Sequence, residues 1–158
     1  MINKFILLFG IGFIVLLFST AVAWYEGSEI VFDSFEWGHS TPLTHLFHGE
    51  VNEPADISPF DYFVYAAKFR PTFPILMIVS TIYLFTLIGY FFTKKKNNFT
   101  YFISLLGSVF LLISVNLIHS STPGAQLIFN TFLSISILYI IISIILYSLQ
   151  SRKKSLIK

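Results

Sequence analysis

FPILMIVSTIYLFTLIGYFF, residues 73–92, decides the fold. It passes twenty positions without an Asp, Glu, Lys or Arg, and roughly 20 apolar residues wound as a helix cross the about 30 Å of hydrocarbon in a bilayer. Three further runs, residues 5–23, 99–118 and 127–149, have the same character and the same lack of charge. A transmembrane barrel would alternate apolar and polar residues in segments of about 10. These runs are apolar all round, so they predict helices, which satisfy their own backbone hydrogen bonds in lipid. Composition agrees: 55 % of the 158 residues are hydrophobic, 11 % are charged and the mean hydropathy is +0.77, more apolar surface than a soluble domain of this size buries. The expected fold class is an all-α membrane protein, a four-helix transmembrane bundle.

Outward from residues 73–92, charge is segregated. All eight acids, Glu26, Glu29, Asp33, Glu36, Glu50, Glu53, Asp56 and Asp61, fall in residues 25–70 beside only Lys68 and Arg70, a formal charge of −6. The rest of the chain holds eight basic residues and no acid, a charge of +8. Lys4, then Lys94, Lys95 and Lys96, then Arg152, Lys153, Lys154 and Lys158 alternate along the chain with the acidic segment and the uncharged link 120–125. The bias of Lys and Arg toward cytoplasmic loops places both termini inside and residues 25–70 outside. The expected division is transmembrane helix 1 at 1–24, an extracellular segment at 25–70, helix 2 at 71–93, a basic cytoplasmic loop at 94–98, helix 3 at 99–119, an extracellular turn at 120–125, helix 4 at 126–150 and a basic tail at 151–158. Ala21-Val22-Ala23 fits a signal-peptide cleavage site, but the apolar run exceeds an h-region of about 7–15 residues, which favours an uncleaved anchor.

Within residues 25–70, the β-branched and aromatic residues of 30–37 suggest a short strand. Thr41-Pro42 reads as the cap and first turn of a short helix that Gly49 ends. Ser58-Pro59-Phe60-Asp61 resembles a capping box. It opens a helix at about 59–69 with Phe60, Phe63, Val64 and Ala67 on one stripe. Pro71 stops that helix, since proline lacks an N–H and restricts the residue before it. It is expected along the membrane surface as an interfacial amphipathic helix, Lys68 and Arg70 reaching headgroups.

Cysteine is absent, which removes disulfides and thiolate chemistry. His39, His45 and His48 with Glu50 carry the chemistry of a divalent metal or hydrolytic site, imidazole plus carboxylate. Their spacing lacks a His-Glu-x-x-His pattern, and surface histidines near a helix C-terminus, where a positive charge is favoured, are the preferred reading. In the spans, Asn116, His119 and Asn130 form a polar intramembrane cluster near the outer ends of helices 3 and 4, and Ser104, Gly107 and Ser108 offer a small surface for close helix contact. No ionisable side chain lies deep in a span, against a proton-coupled pump or voltage sensor. The basic clusters lack aromatic interleaving and give no support to nucleic-acid binding.

The words Ala23-Trp24-Tyr25-Glu26-Gly27-Ser28, Phe35-Glu36-Trp37, Ser40-Thr41-Pro42, Asp56-Ile57-Ser58 and Phe63-Val64-Tyr65-Ala66-Ala67-Lys68-Phe69-Arg70-Pro71 resemble the YjdJ-like family of small, uncharacterised membrane proteins of Bacillus-type bacteria. The resemblance spans about the first 90 residues and implies a multi-pass protein of a bacterial plasma membrane, without an activity to carry over. The expected function is therefore non-enzymatic, with no cofactor, an acidic outer segment for an envelope partner or homo-oligomer, and the lipid bilayer as the surroundings. Two alternatives stand beside it: the His39, His45, His48 and Glu50 site, and an oligomeric small transporter or channel subunit.

Overall fold

The structure is a computed structural model that describes residues 2–93, 98–120 and 122–155. Lys94, Lys95, Lys96, Ser121 and Lys158, which figure in the expected loop, turn and tail, lie outside the described residues. Among the described residues all regular structure is helical. Four long helices, α1 (Ile2–Gly27), α5 (Thr72–Thr93), α6 (Asn98–Leu117) and α7 (Pro123–Ser155), are long and apolar enough to cross a membrane. Side chains such as Ile14 and Leu112 are 67 % and 63 % exposed along them. Apolar surface on that scale calls for lipid as the solvent. Helix α7 runs past the expected end of the fourth span at residue 150 and carries Arg152 within it.

The long helices pack as two antiparallel pairs, α1 with α5 and α6 with α7. The second pair meets along a seven-residue repeat. Thr100, Gly107 and Ser114 of α6 are buried, as are Ser136 and Ser143 of α7, with Gln150 one heptad further. Ser136 donates to the Gly107 carbonyl at 2.8 Å, Ser143 to the Thr100 carbonyl at 3.4 Å, and Gln150 to Thr100 Oγ1 at 2.8 Å. A side chain on Gly107 would press on Tyr139 and Ile140, so its absence sets the helix spacing. Ser104 and Ser108, expected beside Gly107 on the contact face, are exposed instead: the buried stripe of α6 runs through Ile103, Gly107 and Phe110, and Ser104 and Ser108 each follow a stripe residue directly, about 100° around the helix from it. Such interhelical hydrogen bonds contribute about 0.6 kcal/mol each on average.

Between α1 and α5 the chain builds a cap of short elements. They are 3₁₀ turns at Ser28–Phe32, Ser34–Glu36 and Pro54–Asp56, and helices α2 (Trp37–Ser40), α3 (Pro42–Phe47) and α4 (Asp61–Phe69). The strand expected at residues 30–37 is not formed. Those residues turn instead, so that Ile30 is buried and the Trp37 indole N–H reaches the Ile30 carbonyl at 2.9 Å. No second strand is present among the described residues to satisfy an extended backbone there. Gly49 sits past α3 with φ of +90°, the left-handed value that favours glycine.

Helix α4 joins the two pairs, touching α1, α5 and α7, while α5 and α6 meet only along a narrow seam. It begins two residues later than expected and has two packed faces. Tyr65 and Ala66 are buried, with Tyr62 packing beside Tyr65 in the cap core of Ile30, Ile57, Val31, Trp37 and Val51. Phe63, Val64 and Ala67 face the ends of α6 and α7. Phe60, expected on the same stripe, precedes the helix and is exposed. Glycine permits both crossings: a Cβ at Gly27 would lie 1.9 Å from the Tyr62 carbonyl oxygen, and one at Gly124 2.1 Å from that of Ala67. The helix thus lies wedged under the cap rather than on lipid alone.

Candidate functional site

Asp61 is the centre of the cap. It is fully buried. Its Oδ1 accepts the Leu43 backbone N–H at 2.9 Å, and its Oδ2 accepts the Thr44 N–H at 2.8 Å and the Thr44 hydroxyl at 2.6 Å. Thr44 Oγ1 in turn accepts the Ser58 N–H at 2.8 Å. A carboxylate from α4 therefore supplies acceptors for the free N–H groups that begin α3, the task a local cap residue usually performs. Thr41, expected to cap α3, turns its hydroxyl back to the Trp37 carbonyl. The expected Ser58–Asp61 box is not formed either, since Asp61 is committed to α3 and the Ser58 N–H to Thr44. A reciprocal arrangement occurs earlier, where Asp56 Oδ2 accepts the N–H groups of Asn52 and Glu53 at 2.9 and 3.0 Å. Those two donors hold the Asp56 carboxyl below its ordinary pKa.

Charged pairs tie α4 to the first half of the cap. Lys68 Nζ donates to Glu36 Oε2 at 2.6 Å and to Ser40 Oγ at 3.0 Å, while Ser40 donates to the same Glu36 oxygen at 2.6 Å. The Lys68 ammonium, then the Ser40 hydroxyl, lower the Glu36 pKa. Tyr65 donates to Asp33 Oδ2 at 3.2 Å; burial first, and the neighbouring Asp33 second, push its phenol above the usual range. Arg70 pairs with Glu29 at 3.4 Å in the open. Lys68 and Arg70, expected to reach headgroups, each also pair with an acid of the cap. The acids of the cap differ in exposure: Asp61 is buried, Glu36 is mostly covered and Glu29 is open.

His39, His45, His48 and Glu50 are all exposed. His39 stacks on Phe35 with ring centroids 6.4 Å apart, and His45 and Glu50 line a shallow cavity with Trp37, Gly38 and Val51. Among the described residues no three His, Asp or Glu side chains come together closely enough to hold a metal ion. Asn116, His119 and Asn130 are also exposed, and Asn116 donates to the Leu112 carbonyl of its own helix at 2.8 Å. Among the described residues, hydrogen bonds between the long helices lie elsewhere: in the α6–α7 repeat, in the Thr86–Tyr139 hydroxyl pair at 2.6 Å, and from the Tyr83 hydroxyl to the Leu8 carbonyl at 3.3 Å. Spacing by seven of Thr100, Gly107 and Ser114, and of Ser136, Ser143 and Gln150, was the available signal for that seam.

The outside of the cap carries large apolar side chains. Phe32, Phe35, Leu46, Phe47 and Phe60 are 91, 84, 73, 71 and 69 % exposed, although the cap has a buried core of its own.

No solved structure matches the chain. Over 77 residues it is 43 % identical to a Bacillus subtilis (strain 168) protein described as uncharacterized protein YjdJ, a stretch that covers 48 % of this chain and 71 % of that one. A family model described as a domain of unknown function, DUF4306, matches residues 6–93, which hold nearly all of α1, the cap and α5 but not the α6–α7 hairpin. The sequence words quoted above include Glu36, Trp37, Ser40, Ile57, Tyr65 and Lys68, which hold the cap together, and Gly27, where α1 crosses α4. The chain belongs to the DUF4306 family.

Proposed function

We propose that the chain is a non-enzymatic four-span protein of a bacterial plasma membrane, both termini cytoplasmic, whose outward cap docks a protein of the envelope. The carrying observation is the set of five cap side chains, Phe32, Phe35, Leu46, Phe47 and Phe60, at least 69 % exposed on a segment that packs a core without them. Exposed aromatic residues on an acidic surface suit the buried centre and polar rim of a protein interface. The charge asymmetry between residues 25–70 and the rest supports the orientation. The cap's hydrogen bonds are occupied in holding helices together, which leaves it a rigid platform rather than a set of reactive groups.

A photo-crosslinking amino acid placed at Phe35 or Phe47 in living cells tests this. The expected outcome is an adduct of one discrete protein mass, lost when Phe32, also on the exposed apolar face, is changed to Asp. Adducts to lipid alone would mean that the side chains insert in the outer leaflet, and would overturn the docking reading.

A further inference from the structure

Two cavities lie at the seam between the family core and the α6–α7 hairpin. One of about 450 Å³ is roofed by Phe63, Val64, Ala67 and Lys68 of α4 and lined below by Leu117, Ser120, Thr122 and Ile128. The other, about 360 Å³, lies lower among α5, α6 and α7, and includes Ile78, Thr81, Ile113 and Phe132. Ile113 is one helical turn from Leu117, and Phe132 one turn from Ile128. The two cavities therefore follow one another along the same faces of α6 and α7. Their size is that of small-molecule sites, which favour the junction of two bodies.

Polarity is graded along this line. The lower cavity has one polar side chain among the lining residues, Thr81, whose hydroxyl is spent on the Met77 carbonyl at 2.8 Å. The upper one ends in Lys68, Ser120 and Thr122, and none of the eight acids lines it. Glu36 and Ser40 occupy two of the three N–H groups of the Lys68 ammonium. The third N–H is left over, and the Ser120 and Thr122 hydroxyls line the same cavity as Lys68. Such a gradient complements an amphiphile with an anionic head and a long apolar tail.

We infer that this groove holds one phospholipid of the surrounding bilayer, an acyl chain between α5 and the hairpin and the phosphate at Lys68, Ser120 and Thr122. The lipid fills the seam that α5 and α6 leave open, so the hairpin docks on the family core partly through lipid. Lipid phosphate is the occupant favoured over a protein helix because the mouth offers donors and a cation and the depth offers none.

Native mass spectrometry of the purified full-length chain, exchanged into detergent containing phosphatidylglycerol or, separately, diacylglycerol, tests the site. Phosphatidylglycerol is expected at one per chain, with diacylglycerol retained at least fivefold less. The Ser120→Ala/Thr122→Val pair is expected to lower phosphatidylglycerol retention at least fivefold with helix content unchanged, and Ile78→Trp, which fills the lower cavity, to abolish it. Should Ile78→Trp fail to fold, the mouth pair still decides. Equal retention of the two lipids, or retention unaltered by the mouth pair, would overturn the inference. So would an efficient disulfide between two copies carrying Ile113→Cys, which would assign the groove to a second chain.

Discussion

Replacing Asp61 by alanine is expected to unfasten α3 from α4 while the four long helices stay in place. The substitution strips the acceptor from the Leu43 N–H, the Thr44 N–H and the Thr44 hydroxyl, at a position with no solvent exposure to replace it. Each orphaned buried donor costs about 1–3 kcal/mol, and local relaxation recovers part, so the net loss is about 3 kcal/mol or more. Asp61→Asn keeps one acceptor oxygen but turns an NH₂ toward donors, for a loss of about 1.5–3 kcal/mol. Hydrogen exchange at the Leu43 and Thr44 amides reads this directly, since those protons leave only when the cap opens. A local loss of about 3 kcal/mol corresponds to exchange about 100-fold faster, while the α6–α7 amides are unchanged. Exchange at Leu43 and Thr44 within threefold of the unaltered chain would refute the remote-cap reading of Asp61.

Two other perturbations follow from the same contacts. Gly27→Ala and Gly124→Ala each drive a methyl group into a backbone carbonyl of α4 rather than into a movable side chain. Each is expected to cost at least about 1–3 kcal/mol and to speed protease cleavage of the cap, whereas Gly38→Ala, with open space around it, leaves cleavage unchanged. The Glu36–Lys68 pair gives the cap a pH dependence. A carboxyl whose pKa is depressed on folding contributes stability above its unfolded pKa of about 4.3, and loses it as pH falls through the lower folded value. Cap exchange is therefore expected to accelerate below about pH 4, with that component absent in Lys68→Met; an identical acid response in the variant would contradict the pairing.

The four long apolar helices were legible because a run such as residues 73–92 has one stable solution in lipid. Pro71 and Gly49 were legible for the same local reason, each acting through its own backbone. Asp61 was not, because its partners are 17 and 18 residues away and no local pattern distinguishes a remote cap from a first-turn acid. The helical turns at residues 28–36 defeated a propensity reading: β-branched residues favour strands only where a neighbouring strand exists. Helix α4 was half read. Its apolar stripe was visible, but the second face, Asp61, Tyr65 and Ala66, is set by a cap that only the folded chain supplies. The α6–α7 seam could have been read from its sevenfold spacing of small and polar residues, which the eye passes over in a run dominated by Leu, Ile and Phe. The histidines and Glu50 cluster in sequence, but the structure leaves all of them exposed and, among the described residues, gathers no three such side chains closely enough for a metal ion.

Orientation in the membrane is where the functional proposal is most directly tested. The chain has no cysteine, so single cysteines report without background. Asn52→Cys, in the cap, and Ser151→Cys, near the end of α7, are placed at exposed positions on opposite sides of the expected membrane. With a membrane-impermeant thiol reagent on intact cells, Asn52→Cys is expected to label fully and Ser151→Cys only after the membrane is opened. Labelling of Ser151→Cys in intact cells with Asn52→Cys protected would contradict the outward cap, and with it the docking of an envelope partner.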